Sequence, residues 1–135
     1  MERIQPIQIA GTDYLLNFST RAANAVMERY GSIGGINSAF FAQSDDENVR
    51  EKAVSEIAAE VAWALALLMR EGAAYADIVD HKKVPALSAE DLQVVMSIAE
   101  LLDARGPVLE AVAAGIAATV EVEPDAKNAE TTQGK

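Results

Sequence analysis

Ile57-Ala-Ala-Glu-Val-Ala-Trp-Ala-Leu-Ala-Leu-Leu-Met69, continued by Arg70-Glu71-Gly72, is the stretch whose reading decides the fold. It is Ala- and Leu-rich, free of Pro and Gly until its end, and it holds the only Trp, Trp63. A helix that is apolar on nearly every side must be buried on nearly every side, inside a domain or inside a bilayer. Length separates the two, because the uninterrupted apolar part from Val61 to Met69 is far short of the roughly 20 residues a bilayer requires. The stretch therefore reads as the second half of a long core helix that ends at Gly72. Its first half is charged. Ser44-Asp-Asp-Glu47 has the form of a capping box, with Val49, Ala53, Ile57, Val61, Ala64 and Leu68 as the inward positions of about seven turns.

Upstream, Ile7 and Ile9 alternate with polar residues, Pro6 suits an edge strand, and Ala10-Gly11-Thr12-Asp13 supplies a turn. Tyr14, Leu16 and Phe18 continue the alternation as the second arm of a β-hairpin, which must lie on helices to be stable. Ser19 or Thr20 caps the next helix, Ala22, Ala23, Val26, Met27 and Tyr30 form its apolar face, and Gly31 stops it. Ser32-Ile-Gly-Gly-Ile36 is a connector, followed by a short helical turn from Asn37 to Phe41. Phe40 and Phe41 are adjacent, so one helical stripe cannot take both inward. One belongs to the core and the other to a partner surface, or a bend buries both.

Downstream, Tyr75, Ile78 and Val79 make a short apolar patch. Leu87-Ser-Ala-Glu-Asp-Leu92 is a helix start, with Ser88 as cap and Asp91 as return acceptor. Leu92, Val95, Met96, Ala99 and Leu102 carry one helical period after it. Arg105-Gly106-Pro107 breaks the chain, and Val108, Val112, Ala113, Ile116 and Val120 form the stripe of a last helix. From Glu121 to Lys135 almost nothing can be buried, so a disordered tail is expected. The fold class is mainly α with an α+β start: a helical bundle around a long central helix, with an N-terminal hairpin over residues 1–18. One domain spans 1–120 and the tail spans 121–135.

The formal charge of −10 argues against nucleic acid, whose phosphates are bound by clustered Lys and Arg. No cysteine is present, which removes disulfide, thiolate-metal and Cys-nucleophile chemistry at once. His81 is the only histidine; with Asp77 four residues earlier it makes two ligands, too few for a metal site. Gly31-Ser-Ile-Gly-Gly35 lacks the Gly-Lys-Ser/Thr ending of a phosphate loop. No catalytic, cofactor-binding or metal-binding residues are expected, and the inward positions contain no polar cluster. No membrane span is expected. The start Met1-Glu-Arg-Ile-Gln-Pro has no signal layout, so the chain is expected in the cytoplasm.

Read as one unit, Tyr14-Leu-Leu-Asn-Phe-Ser-Thr-Arg-Ala-Ala-Asn-Ala-Val-Met-Glu-Arg-Tyr-Gly31 resembles the tail assembly chaperones of long-tailed bacteriophages and prophages. The likeness extends through Ala62 to Gly72, the Leu87 to Leu92 helix start and the Ala-rich last helix, covering roughly residues 4 to 120. It implies a non-catalytic acidic protein that self-associates, coats the tape measure protein, keeps it soluble while tail tube protein assembles, and is absent from the finished virion. Its place would be the cytoplasm of the bacterial host. Gln133-Gly134-Lys135 can be encoded by a slippery run of the G-GGA-AAN type, which the resemblance connects with a programmed −1 frameshift. A structural role, as a minor tail or head-tail connector protein, is the alternative. Partner contacts are expected at Phe40, Phe41, Leu67 and Tyr75.

Overall fold

The second strand and all the other helices lean on the long helix that the Ile57 stretch foreshadows. The computed structural model describes residues 2–41 and 47–122; the Ser44 capping box and the tail from 123 onward lie outside the described residues. The elements run β1 (Gln5–Ile9), β2 (Thr12–Leu16), α1 (Thr20–Tyr30), α2 (Gly35–Phe40), α3 (Glu47–Tyr75), a π-helical turn (Ala76–Asp80), α4 (Ala89–Val95), α5 (Ile98–Asp103) and α6 (Arg105–Val122). α3 touches β2 and each of the five other α-helices. Val61, Leu65, Leu68 and Met69 on α3 are almost wholly buried, and Leu16, Val26, Ile36, Phe40, Leu92 and Val108 converge on the same core from the other elements. Burying each such side chain contributes on the order of 2 kcal/mol.

β1 and β2 pair antiparallel, with Ile9 opposite Thr12 and Gln5 opposite Leu16. Ala10 and Gly11, at φ +50° and +83°, form the two-residue turn whose twist matches the strands. Such a turn makes Ile9 and Thr12 a hydrogen-bonded pair, so the backbone groups of Asp13, Leu15 and Asn17 face away from β1. At the end of the strand this edge meets α3: the Asn17 N–H donates to the Leu68 carbonyl at 3.1 Å. Tyr14, Leu16 and Phe18 are buried, as the alternation predicts. The Ser19 hydroxyl accepts from the Ala22 N–H, and Gly31 closes α1 in the left-handed conformation.

Gly72 does not stop α3. The helix continues to Tyr75, passes into the π-helical turn and ends at His81 with φ +57°. A Cβ at Gly72 would lie 2.0 Å from the Leu15 carbonyl oxygen. The glycine thus serves close approach of helix and strand and not termination, and the same reasoning applies to Gly115, where a Cβ would lie 2.5 Å from the Phe18 carbonyl oxygen.

The period from Leu92 to Leu102 is carried by two helices and not one. Met96 is extended, and Ser97 opens α5 with a second capping box, accepting from the Glu100 N–H while the Glu100 carboxylate accepts from the Ser97 N–H at 2.8 Å. Leu92 and Leu101 point into the core, whereas Val95, on the expected stripe, is exposed, as is Ala99. On α6 the inward positions are Val108, Ala111, Val112 and Ala114; Ala113 and Ile116 of the expected stripe face outward because the Phe18 contact turns Gly115 to the core side. Met27 is likewise exposed. Ile78 and Val79 lie on the surface of the π-helical turn, and Asp77 pairs with Lys83 at 2.9 Å and not with His81.

Candidate functional site

Two glutamates on α3 tie it to α1. Arg21 meets Glu71 and Arg29 meets Glu60, so α1 and α3 run antiparallel along a common seam. At the first end the Glu71 side chain is 4 % exposed. Its Oε1 accepts from the Ser19 hydroxyl at 2.6 Å, and its Oε2 accepts from the Arg21 and Arg70 guanidiniums. Asn17, also buried, donates to the Glu71 carbonyl at 3.2 Å and accepts from Arg3 at 3.1 Å. The expectation of a core without polar residues is therefore corrected. Asn17 and Glu71 are buried and each is hydrogen-bonded to more than one partner, which makes them a latch holding strand end, α1 and α3 in register. Burial pushes the Glu71 carboxyl up, but the hydrogen bonds from Arg21 and Ser19, with the Arg21 charge, outweigh it and leave it below the usual range.

At the other end Arg29 grips Glu60 with two parallel hydrogen bonds of 3.0 and 3.1 Å, and the Tyr30 hydroxyl donates to the same carboxylate. The Arg29 guanidinium lies 4.4 Å from the centre of the Trp63 ring, and Tyr30 meets that ring edge-on at 5.9 Å. Burial raises the Glu60 carboxyl, yet Arg29 and Tyr30 together bring it below its ordinary value. Burial, followed by the Glu60 hydrogen bond, pushes the Tyr30 phenol up to about 12.

Between these ends the seam is open on one side. Trp63, Ala66, Leu67 and Arg70, spaced as one helical stripe of α3, floor a groove of about 510 Å³. Ala25 of α1 forms one wall and the Ala86–Glu90 stretch the other. The second half of α3 is thus not buried all round, because the Trp63–Ala66–Arg70 side is only partly covered. Small side chains at Ala25, Ala66, Ala86 and Ala89 leave room, and Arg70, Ser88 and Glu90 make a polar rim. Such a shape accepts a row of apolar side chains from a helix. No protein-family model, curated protein or solved structure matches the chain.

The four residues expected to meet a partner fall in different surroundings. Phe40 is fully buried in the core, while its neighbour Phe41 is 49 % exposed beneath the Arg105 guanidinium, 4.7 Å away. Arg105 also donates to the Phe40 carbonyl at 3.0 Å, which locks the split between the two rings. Leu67 is 6 % exposed and belongs to the groove floor. Tyr75 is half-buried with the Arg3 guanidinium 5.6 Å from its ring centre. Sequence reasoning put the whole stretch in the core; Trp63 and Ala66 do pack against that core, and it missed that they also floor a groove. The available signal was Arg70, a charge one and two turns beyond them on the same stripe.

Among the described residues no group of three His, Cys, Asp or Glu side chains could hold a metal ion, and no helix is long and apolar enough to cross a membrane.

Proposed function

We propose that this chain is a tail assembly chaperone of a long-tailed phage or prophage, which binds the tape measure protein in the host cytoplasm and keeps it soluble while tube protein assembles. The observation that carries the reading is the α1–α3 groove. Its apolar floor and small-residue walls suit an apolar helical segment, and its charged rim keeps the unoccupied surface hydrated. The resemblance over residues 4 to 120 supplies the identity of that segment, and the net charge of −10 keeps chaperone molecules soluble around an apolar client.

Co-expression with the tape measure protein, followed by a pull-down and a solubility assay, tests the proposal. The client is expected in the soluble fraction, bound to this chain. Ala66→Arg, which fills the groove from a half-exposed position, is expected to weaken capture about tenfold or more, a change of about 1.4 kcal/mol. A client that precipitates despite this chain, together with a stable ring of this chain in purified particles, would replace the chaperone with a structural tail component.

A further inference from the structure

A second open groove, of about 330 Å³, runs between β1 and the corner where α4 turns into α5. Its apolar lining includes Ile7, Val95, Met96 and Pro107, and its charged lining is Glu100 and Asp103. No Lys or Arg lines it. Met96 is extended between two capped helices, and Val95, which lines the groove, is 45 % exposed; its chain neighbours Val94 and Ile98 are exposed as well. Large apolar groups gathered within five residues beside a concave surface mark a contact site.

The chemistry of the lining restricts the occupant. The Glu100 carboxylate is held by the Ser97 N–H, whereas the exposed Asp103 carboxylate has no hydrogen-bond or ion-pair partner among the described residues. A cationic occupant complements this acidic lining, whereas the net charge of −10 opposes the approach of a second copy at long range. Backbone pairing restricts it further. The hydrogen-bonded pairs of the hairpin leave Pro6 and Gln8 with their backbone groups on the outer edge of β1, and Pro6 has no N–H to offer. An added strand would find a single full rung at Gln8. A helix needs no rungs.

We propose that this groove is a docking site for a basic amphipathic helix of a partner protein, with apolar anchors seated on Val95, Met96 and Ile7 and a Lys or Arg meeting Asp103. The inference stands apart from the tape measure reading and uses a different surface.

The test uses the full chain and a fluorescein-labelled amphipathic Leu/Lys peptide of about 18 residues, five helical turns. A scrambled peptide of the same composition, without an apolar face, is the reference. Affinity is read by fluorescence polarisation, and folding of each variant by circular dichroism. The ordered peptide is expected to bind at least about tenfold more tightly than the scrambled one. Asp103→Lys and Val95→Ser are each expected to weaken it by about fivefold or more, while the charge-matched control Glu28→Lys on α1 changes it less than about twofold. Equal binding of the two peptides, or equal losses in Asp103→Lys and Glu28→Lys, would mean bulk charge attraction and overturn the proposal. Amide shift changes confined to the α1–α3 groove, with none along β1, α4 and α5, would overturn it as well.

Discussion

The two ends of the α1–α3 seam use the same ingredients, an α3 glutamate and an α1 arginine, in different surroundings. At the Glu71 end the carboxylate is sealed beneath the strand that leads into α1, and the helix backbone beside it presses on Leu15. At the Glu60 end both partners keep contact with water, with side-chain exposures of 38 % for Arg29 and 29 % for Glu60. The difference lies in the carboxylate, because Arg21 is itself 67 % exposed: a glutamate of one chemical type sets register where it is buried and trims a surface where it is not.

The largest disruption is expected from Gly72→Ala. The added Cβ would meet backbone atoms of Leu15 at 2.0 and 2.5 Å, and backbone cannot swing aside as a side chain does. A loss of about 3 kcal/mol is expected in urea unfolding, despite the higher helix propensity of Ala. Gly106→Ala is the control, with nothing within 4 Å of the new Cβ, and should be neutral or slightly stabilising.

Next comes Glu71→Ala, expected to cost about 2 kcal/mol through the stranded Ser19 hydroxyl and the space left beneath α1. Glu60→Gln should cost about 0.5 kcal/mol, within the range of partly exposed pairs. Equal losses at the two positions would erase the contrast between the ends.

Acid should sharpen the same contrast. Both carboxyls are held below their ordinary value, so the stability they contribute is fully present above the unfolded glutamate pKa of about 4.3 and is lost as pH falls through their folded values. Unfolding midpoints measured from neutral pH down to about pH 3 should fall less steeply in Glu71→Gln than in the parent, with a smaller change in Glu60→Gln.

The smallest effect lies on the alkaline side. The Tyr30 phenol, pushed up to about 12 from the usual value near 10, contributes stability that is whole below about 10 and lost as pH rises through 12. A tyrosinate absorbance titration should show its late ionisation, and Glu60→Gln should bring that step to lower pH.

What was legible in the sequence was what local chemistry dictates. The hairpin turn, the Ser19 and Gly31 ends of α1, and the Ser88–Asp91 box each rest on residues within four positions of one another. Gly72 was misread because a helix stop and a close helix–strand approach call for the same residue. The Ser97–Glu100 box was masked by an apolar period that runs across the kink. Asn17 and Glu71 were invisible for another reason: their partnership spans 54 positions. The α1–α3 groove depends on how far α1 stands from Trp63, which no periodicity encodes. For Phe40 and Phe41 the sequence left two arrangements open, one ring inward and one outward or both buried by a bend, and the structure shows Phe40 inward and Phe41 outward beside Arg105, 65 positions from Phe40.

Trp63, clamped between the Arg29 cation and the Tyr30 edge and forming part of the groove floor, is also the chain's single indole. Its emission therefore reports on one place only. A helix settling into the groove would dry the ring and shift the emission to shorter wavelength, whereas loosening of the Glu60 end would free the quenching neighbours and wet it. The protein carries its own optical probe at the point where its internal seam and its open surface meet.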